Sequence, residues 1–300
     1  MDKGILLAAS YDLKVHMFQL SNGNETNEYD IPNSQANRIV VSKNQFYIAG
    51  YSNFFCYDIE SKSNRAIQSV VAHESNVTDI CISEFNIITC GEDKTIKVWD
   101  SRSHHPSICV STDDSLNSMV LLNNGYEVIA GGEDGTISLW DLKNPRAPCE
   151  KKQSNSPVRS LSISPEGSEF LSSYMDGKTI KYKIENEVIT EVCDIQSFND
   201  IQLRCAISPN SEYFATSAAN NCAKIYGFGN CEMRHSLVPN ETRTWVWDVA
   251  FTPDSTKLCT GSSDGICRIW DVENGKMEME IPVNGVSKSV SAIAVIAFQY

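Results

Sequence analysis

The chain has 300 residues, 41% hydrophobic and 21% charged, with 16 Gly and 10 Pro, enough apolar material for a large core and no low-complexity tail or linker. A formal net charge of −13 and a pI near 4.8 repel a phosphate backbone and exclude nucleic acid as the default partner. No run approaches the ~18 apolar residues of a membrane-spanning helix, so no direct membrane insertion is expected.

The N-terminus, MDKGILLAAS, has too short an apolar run for a secretory signal. It leads into two strand-like stretches, ILLAASYD and LKVHMFQL, about a turn at Asp12. Six complete units follow, from about Ala36 to Pro282. Aligned on the aromatic that ends the central hairpin, the repeats fall at Phe18, Tyr57, Trp99, Trp140, Tyr182, Tyr226 and Trp270, at intervals of 39 to 44 residues. Six residues ahead of most of these aromatics stands a turn residue: Asp12, Asp93, Asp134, Asp176, Asn220 and Asp264. The second copy departs, with a Ser52-Asn53 turn one residue shorter.

The fourth copy shows what each unit contains. EVIAGG (127–132) and TISLW (136–140) flank Asp134-Gly135, a pair that supplies the positive φ a tight hairpin needs. In the second strand Ile137 and Leu139 face one way, and Thr136, Ser138 and Trp140 the other. SLNSMVLL (115–122) predicts a preceding strand and APCEKKQ (147–153) a polar outer one. No segment carries a helical apolar period. At the far end VSAIAVIAF (290–298) is an apolar strand with no hairpin after it.

Four strands per unit at this period predict small sheets stacked face to face. The expectation is an all-β, seven-bladed β-propeller forming one domain, 1–300, its ring closed by pairing of the C-terminal strand with the N-terminal strands. Closure also removes exposed sheet edges.

Candidate functional residues are those that the repeat itself does not require. Two positions ahead of the first core residue of each leading strand stand Asn37, Thr78, Asn117, Arg159, Leu203 and Trp247, which should surround one channel mouth. The start of the strand at Leu203 is the least defined. Gln35 approaches the same mouth. In TWVWDVAF (244–251) Trp245 and Trp247 alternate with Val246 and face one way, as an aromatic anchor on the rim or as packing between sheets. Arg159 could meet a carboxylate. No phosphate-cradling glycine loop, HExxH or GxSxG is present. His104-His105, adjacent on the chain, suit a loop better than a metal site, and Asp113-Asp114 and Glu92-Asp93 fall at turns. No catalytic residue, cofactor, metal or small-molecule substrate is expected. The eleven cysteines contain no CxxC pair, as reduced core-packing thiols of a cytoplasmic protein would.

VWD, LWD and IWD at 98–100, 139–141 and 269–271 resemble the WD-repeat family, and His73, Thr89, Asp93 and Trp99 match that family's hydrogen-bonded structural relay. Over nearly the whole chain, AASYD (8–12), SQAN (34–37), AGYSNFFCYDI (49–59), GEDKTIKVWDSRS (91–103), LWDLK (139–143) and the stretch 244–276 further resemble the small WD-repeat subunits of TOR kinase complexes. That resemblance implies a non-catalytic scaffold subunit that docks on the C-terminal lobe of a TOR-type kinase domain, stabilises it and shapes access to its cleft in growth control. It also implies a cytoplasmic location, extending to endomembranes through the complex. Gln35, Asn37, Trp245 and Trp247 match the family's docking mouth, whereas Thr78, Asn117, Arg159 and Leu203 join it by position alone. The alternative is a different WD-repeat adaptor that binds a basic peptide or another partner at an acidic mouth. Units five and six, ending Tyr182-Lys183 and Tyr226-Gly227 in place of Trp-Asp, have the least secure boundaries.

Overall fold

Each of the seven hairpin turns puts one residue into the left-handed region: Leu13, Ser52, Lys94, Gly135, Gly177, Asn221 and Gly265, with φ between 56° and 86°. In five of these turns an aspartate precedes that residue and can hold the turn, as where Asp134 Oδ1 accepts from the Thr136 N–H at 2.8 Å and Asp12 Oδ1 from that of Lys14 at 3.1 Å. Glycine is required most strictly at Gly177, where a Cβ would lie 2.1 Å from the Phe198 carbonyl oxygen.

The structure, a computed structural model, describes residues 4–61, 63–84, 86–100, 105–239, 244–283 and 288–297. Among the described residues every regular element is a β-strand. The strands predicted at 127–132 and 136–140 are Glu127–Gly132 and Thr136–Asp141. The apolar C-terminal stretch forms Val290–Ala297, which pairs antiparallel with Gly4–Ser10. Its alternate residues enter two cores. Val290 and Ile293 pack with Leu6 and Phe18, while Ala292 and Ala294 join Leu7, Tyr29 and Phe46.

The sheets correct the expected seven-bladed closed ring. Among the described residues there are six sheets, five of four strands and one of seven, and no sheet closes on itself into a ring. The cause lies in residues 72–76, AHESN, which are mostly polar but whose backbone stays extended. Gln68–Ile82 is therefore one strand of 15 residues, paired through its first part with Tyr51–Asp58 and through its last with Asn86–Gly91. Two repeat units thus share one hydrogen-bonded sheet.

Successive sheets are joined by side chains, not by a continuous ladder. Ile137 and Leu139 pack with Val158, Leu161 and Phe170 of the next sheet, and Trp140 turns the other way to Ile88, Ile96 and Met119. Both faces of a central strand are buried by its neighbours, and no unit could bury them alone.

Candidate functional site

The relay residues form one chain of hydrogen bonds. Trp99 Nε1–H donates to Thr89 Oγ1 at 2.9 Å, Thr89 Oγ1 lies 2.8 Å from His73 Nε2, and His73 Nδ1 lies 2.8 Å from Asp93 Oδ1. A carboxylate can only accept, so Nδ1 carries the proton and Nε2 accepts from the Thr89 hydroxyl. Burial lowers the His73 pKa, and Asp93 only partly opposes it. Burial works against ionisation of Asp93, but hydrogen bonds from Thr95 and His73 outweigh it and hold the carboxyl below its ordinary value. With His73 and Thr89 buried and Trp99 edge-on to Phe54, this is a packed seam between the two units that share the seven-stranded sheet.

The mouth residues share a backbone feature that the sequence did not disclose. In the leading strands the ladder skips Thr78, Asn117, Arg159, Leu203 and Trp247, each a β-bulge residue. The C-terminal strand skips Ser291 in the same way. Asn37 stands just ahead of Arg38–Ser42 and donates its N–H to the Ala49 carbonyl at 2.8 Å. Bulges re-aim side chains, and all seven of these residues line a single cavity of about 230 Å³, together with Tyr11, Gln35, Asn76, Glu92 and Arg204. The resemblance drew on Tyr11 within AASYD, but neither Tyr11 nor Ser291 was assigned to the mouth; the signal for Ser291 was its place two before Ile293.

The seven mouth side chains fall into two groups. Asn37 Nδ2–H donates to the Val77 carbonyl at 2.9 Å, Thr78 Oγ1–H to Leu116 at 2.7 Å, and Asn117 Nδ2–H to Val158 at 2.8 Å. In each case the acceptor is the residue just before the next unit's mouth residue. Arg159, Leu203, Trp247 and Ser291 make no such bond. Arg159 Nε, Trp247 Nε1 and Ser291 Oγ are buried atoms with no hydrogen-bond partner. Burial pulls the Arg159 guanidinium below its ordinary pKa and Arg204 adds to the fall, with Glu133 opposing.

One residue further along each strand lies a second layer. Asp79 Oδ2 accepts from Met119 N–H, Ser118 Oγ from Leu161 N–H, Ser160 Oγ from Cys205 N–H and Asp248 Oδ2 from Ile293 N–H, at 2.9 to 3.3 Å. Arg38 and Arg204 occupy the equivalent place in their units and offer no acceptor. There Asp79 and Asp248 cap their own neighbours, Ile80 and Val249, at 2.9 Å. Arg204 Nε lies 3.1 Å from Asp248 Oδ1, and Arg38 sits 3.6 Å from Asp79 and 3.8 Å from Asp248. Two cations and two anions neutralise one another beneath the mouth.

Trp245 is 43% exposed and Trp247 half-buried, with ring centroids 5.0 Å apart and planes inclined at 54°. Ser263 holds the Trp245 backbone by reciprocal bonds of 2.9 and 2.8 Å, and Val246 between them is buried. Trp245 does not line the cavity but stands outside it. Gln35 is exposed at its edge, and Leu203 is buried in its wall. Tyr51, 62% exposed, borders an adjoining depression with Leu13, Gln35 and Asn37.

His16, Glu25 and Glu28 could bring three ligand atoms within 4.8 Å of one another. They are already satisfied without an ion, since His16 faces Glu25 at 2.6 Å and Asp12 at 2.9 Å, and Lys14 holds Glu28 at 2.6 Å. His104 lies outside the described residues, and His105 is exposed. The eleven cysteines are unpaired. Burial pushes the Cys56 thiol up to about 11 and Cys259 to about 12, away from thiolate chemistry.

The family profile described as "WD domain, G-beta repeat" matches residues 64–100, 103–141 and 233–271. The chain is 27% identical over 248 residues to the target of rapamycin complex subunit LST8-1 of Arabidopsis thaliana, covering 79% of this chain and 81% of the relative. It is 28% identical over 303 residues to target of rapamycin complex subunit LST8 of Rattus norvegicus, covering 97% and 79%. The Saccharomyces cerevisiae subunit LST8 is 27% identical over 231 residues, covering 74% and 76%.

Proposed function

Since the chain belongs to the WD-repeat family and is related to the LST8 subunits of target of rapamycin complexes, we propose that it is a non-catalytic scaffold subunit of a TOR kinase complex. It docks through the mouth face on the kinase domain, stabilises that domain and shapes access to its cleft. The observation that supports this most directly is Trp245, exposed and leaning on half-buried Trp247 at the mouth. Indoles of this kind, open to solvent but held by a rigid strand, are the usual centre of a binding surface.

The relay is consumed by hydrogen bonds within its own unit and the second layer by bonds between units, so both serve the fold. The alternative, a reader of basic peptides, is disfavoured by the mouth's own charges. Glu92 is held by Asn76 and Ser75, and Glu133 by Asn117, while Arg159, without an ion-pair partner among the described residues, lines the cavity.

Native affinity purification from the source cells should recover a TOR-type kinase polypeptide at equal stoichiometry. A Trp245→Ala/Trp247→Ala double variant should lose it, with at least about 2 kcal/mol of binding removed at such anchors. Undiminished capture by a folded double variant would refute the assignment.

A further inference from the structure

Deepening the docking reading above, on which it rests, we infer that the Arg159–Leu203–Trp247–Ser291 side of the mouth is a subsite for one carboxylate side chain, Asp or Glu, presented by the bound partner. The same bulge position is used in two ways. In three units its side chain is consumed by a hydrogen bond to the next unit. In the other four it is apolar once and carries an unpartnered polar atom three times.

The three unpartnered groups, a guanidinium N–H, an indole N–H and a hydroxyl, can all donate, and two of them can only donate. What completes them must accept. A buried donor left unmade carries the full desolvation penalty of its group, larger for a charged one, so three in one wall of one cavity mark a place built for an occupant. Arg159 decides the occupant's charge. Among the described residues no carboxylate forms an ion pair with it, whereas Arg204 on the same wall is already paired with Asp248. Glu133, the anion that acts on it, is held by Asn117 at 2.6 Å. A cavity of about 230 Å³ admits a side chain but not a folded segment. Leu203 offers its apolar surface to the methylene stem, and a guanidinium takes a carboxylate better than a neutral carbonyl because its donors match two oxygens in one plane. Rotation of the Trp247 and Arg159 side chains toward the entering group brings the donors to it.

The subsite is testable apart from the partner. With the full chain labelled at indole nitrogen, N-acetyl-glutamate N-methylamide is titrated to about 50 mM while the Trp247 indole N–H resonance is followed. A saturable shift is expected, absent with the glutamine analogue, abolished in Arg159→Met and partly retained in Arg159→Lys. A flat titration, an equal response to the glutamine analogue, or an undiminished response in folded Arg159→Met would each overturn the carboxylate subsite. A subsite occupied only by ordered water gives the flat titration. Kinase capture by Trp245→Ala, run beside it, reports on docking alone. Loss of capture there with a flat titration leaves docking standing and removes the subsite. A specific titration without any kinase captured by the unmodified chain keeps the subsite and removes the TOR reading.

Discussion

Asn37, Thr78 and Asn117 on one side of the mouth, and Arg159, Leu203, Trp247 and Ser291 on the other, hold the same place in the repeat and do different work. The first three reach across to a neighbouring backbone carbonyl. The other four leave that reach unmade. Beneath both sides the second layer still joins the units, through Asp79 and Ser118 on one and through Ser160 and Asp248 on the other. Coupling between units therefore depends on the deeper layer, and the mouth position is dispensable to the fold on one side. That is where recognition can be written without loss of architecture.

The sharpest test uses two adjacent residues of one strand. Asp248→Ala strands Arg204, leaves Arg38 only Asp79, and removes the acceptor of the Ile293 N–H. Breaking a buried ion pair from one side costs about 3–5 kcal/mol, read as a large fall in denaturant midpoint. Trp247→Ala, one residue away but half-buried and unlatched, should cost only about 1 kcal/mol of stability. Equal losses for both would show that the unlatched side is as structural as the layer below it.

A smaller effect separates the two sides of the mouth directly. Thr78→Val keeps the side-chain volume but leaves the Leu116 carbonyl without its donor, a loss of about 1–2 kcal/mol. Ser291→Ala removes a hydroxyl that bonds to nothing and should leave stability unchanged or slightly raised. Chemical denaturation of both variants checks the contrast, and a loss in Ser291→Ala matching that of Thr78→Val would erase it.

Much of this was legible in the residues. Asp134-Gly135 and its counterparts fix hairpins by local chemistry, so the central strands could be placed from the sequence. The alternation in TWVWDVAF set both indoles apart from Val246, which is buried, but left open whether they anchor a partner or pack. Trp247 lines the cavity and Trp245 stands outside it. Residues 72–76 join two units in one sheet because a polar stretch can be strand when its backbone is paired, as Asn76 is with Tyr51. The division of the mouth was invisible for another reason. Thr78 and Ser291 are both small hydroxyl residues, and only the position of the neighbouring carbonyl decides which one is bonded. The paired charges at Arg38, Asp79, Arg204 and Asp248 did leave a signal, since each directly follows a mouth residue inside an apolar strand.

The weakest effect should come from acid. The latched side carries the relay, whose His73 precedes Thr78 on the same strand. The folded pKa of His73 lies below its ordinary 6.5, so the unfolded chain binds the proton first. Stability falls as pH drops below about 6.5 and toward the folded value. The folded pKa of Asp93 is also lowered from 3.8, and its contribution, complete above about 4, is lost as pH falls through the folded value. Both shifts run the same way, and acidification loosens this seam in two stages. Between pH 7.5 and 5.5 only the first stage operates, lowering the melting temperature by a few degrees at about 2–4 °C per kcal/mol. His73→Gln, less stable at pH 7.5 because Thr89 and Asp93 lose their partner, should show a shallower decline over that interval, the remaining histidines titrating alike in both chains. Parallel declines in the two proteins would place the acid sensitivity elsewhere, and the latched side would then owe nothing to its relay below neutral pH.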